Sequence, residues 1–148
     1  TAFAACALGV TQFALLMYDP REQLPTHADE AAGHALLERV RGIEGDVWMP
    51  AQGYLAQRAG KRGSAHAMAV TDLLQGPDRA AAQAFVDELT RALAERRFAA
   101  VILDQAWDAD LAELAQGYTR VTWRYPDEHT FVPVTGAPRR PLYFYVRR

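Results

Sequence analysis

The chain opens with an apolar run in which polar positions have no period. Fourteen of the seventeen residues from Ala2 to Tyr18 are apolar, and the first eighteen carry no charge. Gly9, Thr11 and Gln12 are the only interruptions. At Asp19 the pattern changes, and "YDPREQLP" leads away through two prolines, as a chain does on leaving a helix. A bilayer core takes about 20 apolar residues as a helix, so residues 1–17 read as the end of a transmembrane helix or an apolar leader. The other reading is a buried helix, or a strand "FALLMY", inside the domain.

From Thr26 the periodicity becomes helical. Thr26 suits an N-cap with Asp29 three residues on. Ala32, Leu36 and Val40 then share one face, with Leu37 beside them, up to Gly42. "GDVWMP" predicts a strand over 46–49. Residues 51–58 hold a helical turn, "AGKRG" a basic turn, and Met68 to Leu74 an apolar segment. Gly76-Pro77-Asp78 predicts a helix start with Pro in the first turn. Ala82, Phe85, Val86, Leu89 and Leu93 continue it as the clearest amphipathic helix, 77–97. "AAVILD" is a continuous apolar run, as in a strand covered on both faces, over 99–103. Asp108 can cap a short helix through Ala115. "TRVTWRY" alternates, with Val121, Trp123 and Tyr125 inward and Arg120, Thr122 and Arg124 outward. Residues 126–141 hold four prolines and predict an irregular loop. "LYFYV" predicts a last strand, antiparallel to 119–125.

This order predicts a small α/β domain over residues 18–148. It has a mixed sheet with a parallel βαβ core, an antiparallel edge and helices packed on the sheet. Strands 46–49 and 99–103 lie parallel, joined through the 77–97 helix by a right-handed crossover. No repeat, low-complexity tract or internal boundary divides the 148 residues.

Composition narrows the function. Half the residues are hydrophobic and 23% are charged, a globular balance. The net charge of -2 supplies no basic field, so nucleic acid is not expected as a partner. Fifteen Arg against the single Lys61, with many Ala, reads as a genomic compositional bias. Cys6 is the only cysteine, so no internal disulfide forms. Within an apolar run it is expected to be an inert small hydrophobe.

No motif establishes a reaction. "AGKRGS" lacks the spacing of a phosphate-binding loop, and no G-x-G-x-x-G occurs. His27, His34, His66 and His129 form no i, i+4 pair, so no metal ligand set and no cofactor are expected. Ser64, the only serine, does not sit in a G-x-S-x-G turn, and no catalytic residue is assigned. Two polar groups remain. Asp104 follows the strand at 99–103, and ligands gather at the carboxyl ends of parallel strands. With Trp107 and Asp108 it can line a crevice, or the two carboxylates can simply cap the next helix. Tyr54, Lys61, His66 and Asp72 follow strand 46–49 and can hold a sugar or phosphate, or can form a solvated loop.

The stretch from Tyr18 to Leu74 resembles a known arrangement. It has Tyr18 with Pro20, then Pro25-Thr26 and Asp29 with Gly33 opening a helix. Gly45, Val47 and Pro50 follow, and then Ala59-Gly60-Lys61, His66 and Asp72. With residues 1–17 it is similar to the soluble region after the last membrane helix of multi-pass bacterial glycosyltransferases, of the mannosyltransferase-like type that uses lipid-linked sugars. The resemblance covers residues 1 to about 75 and rests on common residues at matching spacing. It implies that residues 1–17 end a transmembrane helix and that the domain faces the extracytoplasmic side. It also implies that the partner is the membrane portion of the same polypeptide, with a sugar or lipid-linked sugar nearby. In that family the catalytic acid lies in an early loop between membrane helices, so no catalytic residue carries over.

Three readings follow. The chain is an accessory, non-catalytic domain of a membrane glycosyltransferase, helping to shape the acceptor or sugar side. Alternatively it is a binding or interaction module of another membrane protein, or a free-standing α/β enzyme using Asp104 and the His66/Asp72 region.

Overall fold

The computed structural model describes residues 2–17, 19–104, 116–134 and 137–148. Helix α1 spans Ala2–Leu15, and a short 3-10 turn follows at Pro20–Gln23. Every residue from Phe3 to Met17 except Gly9 is exposed. The segment is therefore helical and lies outside the core, so neither the buried helix nor the "FALLMY" strand forms. Cys6 is exposed with it rather than buried. No helix among the described residues is long and apolar enough to cross a membrane.

Helix α2, His27–Arg41, begins where its cap predicts. The Thr26 hydroxyl accepts the Asp29 amide at 3.2 Å, and the Asp29 carboxylate accepts the Thr26 amide at 2.7 Å. Two end amides are thereby satisfied reciprocally. Ala32, Leu36, Leu37 and Val40 are all buried, as the period predicts. Each of the three larger side chains contributes about 1.5–3 kcal/mol on leaving water.

Strand β1 is shorter than expected, only Val47–Trp48, since Pro50 offers no amide for a ladder. Helices α3, Gly53–Arg58, and α4, Ala67–Gln75, follow. The Gly-rich turn between them has a structural cause. Gly60 has a φ of +77°, its amide donates to Gln57 O, and the Lys61 amide donates to Ala56 O. These paired bonds close the end of α3 around a left-handed residue, where glycine costs least.

Helix α5 spans Arg79–Ala94, shorter than the predicted 77–97. Asp78 is its cap, accepting the Ala81 amide at 2.9 Å, so Pro77 precedes the cap instead of sitting in the first turn. Its other end closes through the same paired bonds, Arg96 to Leu93 O and Arg97 to Ala92 O. Here the left-handed residue is Arg96, at φ 54°, a conformation that costs about 1 kcal/mol or more in a non-glycine residue.

Strands β2 (Ala100–Leu103), β3 (Tyr118–Thr122) and β4 (Tyr143–Arg147) complete the sheet, in the order β1-β2-β4-β3. β1 and β2 are parallel, with Val47 opposite Ala100; β2–β4 and β4–β3 are antiparallel. The protein is an α/β fold with a mixed sheet, as expected. Its two faces bury different sets. Ala100, Ile102 and Phe144 pack under α2 and α3 with Leu36, Val40 and Leu55. Val101, Leu103, Tyr118 and Tyr145 pack with Leu93 of α5 and with Trp48. β2 is buried at all four positions because helices cover both sides.

β3 departs from its predicted alternation. Trp123 packs against the core of the α2 face, but Val121 is 47% exposed because β3 is the sheet edge, beyond the helices. Tyr118, outside the predicted strand 119–125, is buried on the other face and donates its hydroxyl to Phe98 O at 3.1 Å. The predicted helix 108–115, with Asp108, lies outside the described residues.

Candidate functional site

Residue parity builds the site. Ala100 and Ile102 face α2 and α3, and two residues on, Asp104 continues that face just past the end of β2. Beyond the paired residues of β1 and β2, Asp104 and Gln52 line the same cleft. This cleft, of about 990 Å³, is also lined by residues of α2 and α3. That volume suits a small molecule. Leu37 and Leu55 give it apolar surface, and Asp104, Gln52, Tyr54 and the segment Phe131–Val134 also line it.

The cleft gathers three of the six predicted residues, Tyr54, His66 and Asp104. Tyr54 stands at the mouth, 58% exposed, and Met68, at 61%, flanks it. Asp104 lies at the bottom, only 4% exposed. One oxygen of its carboxylate finds no hydrogen-bond partner among the described residues, and neither does Oε1 of Gln52. His66 caps α4, its Nδ1 accepting the Met68 amide at 3.1 Å.

Lys61 does not join them. Its ammonium donates to the Ile43 carbonyl, which draws it to the C-terminal end of α2. Asp72 is exposed on α4 and does not line the cleft. Trp107 lies outside the described residues. The Ser64 hydroxyl oxygen is buried and has no hydrogen-bond partner, His66 included, among the described residues. Among the described residues no three His, Cys, Asp or Glu side chains converge where a metal ion could sit.

The proline-rich loop is the wall that sequence reasoning missed. An aromatic series reaches it from the core: Phe144 against Trp123 at 5.6 Å, Trp123 on edge to Tyr125 at 6.5 Å, and Tyr125 stacked on Phe131 at 5.9 Å. Arg140 lies over the Tyr125 ring, 4.4 Å from its centroid, and donates to the Asp127 and Thr130 carbonyls. The Tyr125 hydroxyl donates to Pro141 O at 2.9 Å, and burial holds that phenol far above its usual range. Phe131 itself sits at φ 61°, a strained value for an aromatic residue. Asp29 holds it there, its Oδ1 accepting the Phe131 amide at 2.6 Å. Gly33 makes room, since a Cβ there would come within 2.9 Å of the Phe131 ring. The only sequence signal was Asp29, whose capping role was legible and whose second carboxylate oxygen was not.

Acid should release this wall. The Phe131 amide, with the Thr26 hydroxyl and amide, lowers the Asp29 carboxyl from its ordinary 3.8. The Thr130 hydroxyl, then the Thr130 and His129 amides, lower that of Asp127. Groups lowered in the folded state contribute stability above about pH 3.8 that is lost as pH falls through their folded values. Hydrogen exchange of the Phe131 and Thr130 amides should therefore quicken below that pH while Val101 stays protected. Simultaneous loss at all three would mean that the wall is not a separate unit.

Comparison with protein families, with curated proteins and with solved structures finds no match to this chain.

Proposed function

We propose that the chain is an accessory, non-catalytic extracytoplasmic domain of a membrane-embedded glycosyltransferase-like protein, and that its cleft takes a sugar on the acceptor or donor side. The observation that carries the proposal is the pairing of an exposed Tyr54 ring with a buried Asp104 carboxylate in one cleft. Aromatic rings stack on the apolar faces of sugars, and a carboxylate accepts strong bonds from hydroxyls. The exposed apolar α1 supports attachment to a membrane and weighs against the free-standing enzyme.

The test is an amide-shift titration of the full chain with simple hexoses. Binding on the order of millimolar, about -4 kcal/mol, is expected for a site this wide. Shifts should cluster at residues 51–58, at 66–68, at Asp104 and at 131–134. No shift at saturating sugar would leave the domain a structural appendage.

A further inference from the structure

The floor of the cleft holds a carboxylate that the described residues leave without a countercharge. Asp104 is more than nine-tenths buried, yet one of its oxygens is unpartnered among the described residues, and no cationic side chain there lies within ion-pair distance of it. Burying an uncompensated carboxylate is costly, and folds normally pair or neutralise one. A second unpartnered oxygen among the cleft residues, Oε1 of Gln52, is also an acceptor. A neutral hydroxyl supplies a donor to such a pair but leaves the charge unanswered. A divalent metal needs more ligands than the described residues bring together.

We infer that the cleft floor is a seat for a protonated amine, and that the ligand is an amino sugar whose ammonium donates to the Asp104 carboxylate and to the Gln52 side-chain carbonyl. This rests on the reading of the cleft as a sugar site. An ammonium has three donors and a full charge, which matches two acceptors, one of them anionic. Rotation about the last torsion of Asp104 presents either oxygen to the cleft, since that torsion is soft. Tyr54 at the mouth takes the ring face while the amine reaches inward. The other charged groups lining the cleft, Asp29, Glu30, Arg58 and Arg139, are of both signs. Glu30, Arg58 and Arg139 stand exposed at the rim, where water screens them, and Asp29 is already occupied by Thr26 and Phe131. Asp104 is the acidic group sealed at the floor.

The experiment compares glucosamine with glucose and N-acetylglucosamine on the full chain, by amide-shift titration at about pH 6, below the range where amines lose their proton. Glucosamine should bind at least about tenfold more tightly than either neutral sugar, equivalent to about 1.4 kcal/mol. In Asp104→Asn that preference should fall to near unity, and its melting temperature should equal or exceed that of the wild type, because an unanswered charge has gone. Acetylating the amine tests the same contact from the ligand side, so the inference stays open to refutation even if the variant fails to fold. Equal affinity for all three sugars, with shifts in the cleft, would overturn the amine seat and leave the sugar site standing. A preference that survives in Asp104→Asn would place the amine elsewhere. No shift with any of them would overturn both.

Discussion

Replacing Phe144 by alanine is expected to destabilise the domain by about 3–5 kcal/mol, the range for truncating a buried aromatic. Phe144 is 1% exposed, lies between Ile102 on β2 and Val121 on β3, and packs beneath α2 and α3. The cavity cannot collapse easily, because strands fix the backbone on both sides. Small domains hold only about 5–15 kcal/mol in all, so the melting temperature should fall by roughly 10–20 °C. Thermal denaturation followed by circular dichroism measures it. The effect should reach the cleft as well, because Trp123 rests on Phe144 and begins the aromatic series that ends at Phe131. A loss below about 1 kcal/mol would show that this face of the sheet is not the core.

Removing residues 1–17 should have the opposite profile: no effect on the fold and a large one on membrane association. Seven large apolar side chains of this segment are exposed, from Phe3 at 87% to Met17 at 81%. Burying each in hydrocarbon is worth about 1.5–3 kcal/mol, together on the order of 10 kcal/mol before the cost of association. The helix is apolar all round rather than on one face, and a lipid surround covers such a surface better than a single docking partner. Its 14 residues extend about 21 Å, short of the roughly 30 Å hydrocarbon core. The full chain should float with neutral phosphatidylcholine vesicles at any salt concentration, since α1 carries no charge. The shortened chain should bind at least about 100-fold more weakly and melt within about 2 °C of the full chain. A collapse in melting temperature would place the segment in the core, and unchanged flotation would put the membrane contact elsewhere.

Several local signals were accurate, although the most amphipathic helix is shorter than its pattern predicts and leaves Val86 39% exposed. Thr26 with Asp29 marks a helix start, and the burial of Leu36 and Val40 follows from a 3.6-residue period. The unbroken run "AVIL" marks a strand covered on both faces, and β2 is that strand. The misses share a cause. Val121 alternates as an inward residue, but an edge strand has no helix over it, so half of the side chain stays in water. Arg96 ends α5 in a left-handed conformation that arginine does not advertise; Arg147 donates to its carbonyl from a strand 51 residues away. Lys61 looked like a ligand-binding cation, yet its ammonium is occupied by the Ile43 carbonyl across 18 residues.

Read alone, the sequence determined the α/β class, the Thr26 cap of α2 and the parallel pairing of "VW" with "AVIL". Each depends on neighbours within a few residues or on a period that the chain itself repeats. The tertiary structure decided which polar residues meet. Tyr54, His66 and Asp104 converge because parallel strands bring their carboxyl ends to one edge, while Lys61 is drawn away by the Ile43 carbonyl and Asp72 stays exposed on α4. The loop at 126–141 became a wall of the cleft only because Asp29 holds Phe131 from 102 residues away. A bond of that span comes from the folding of the whole chain, and no window of sequence contains it.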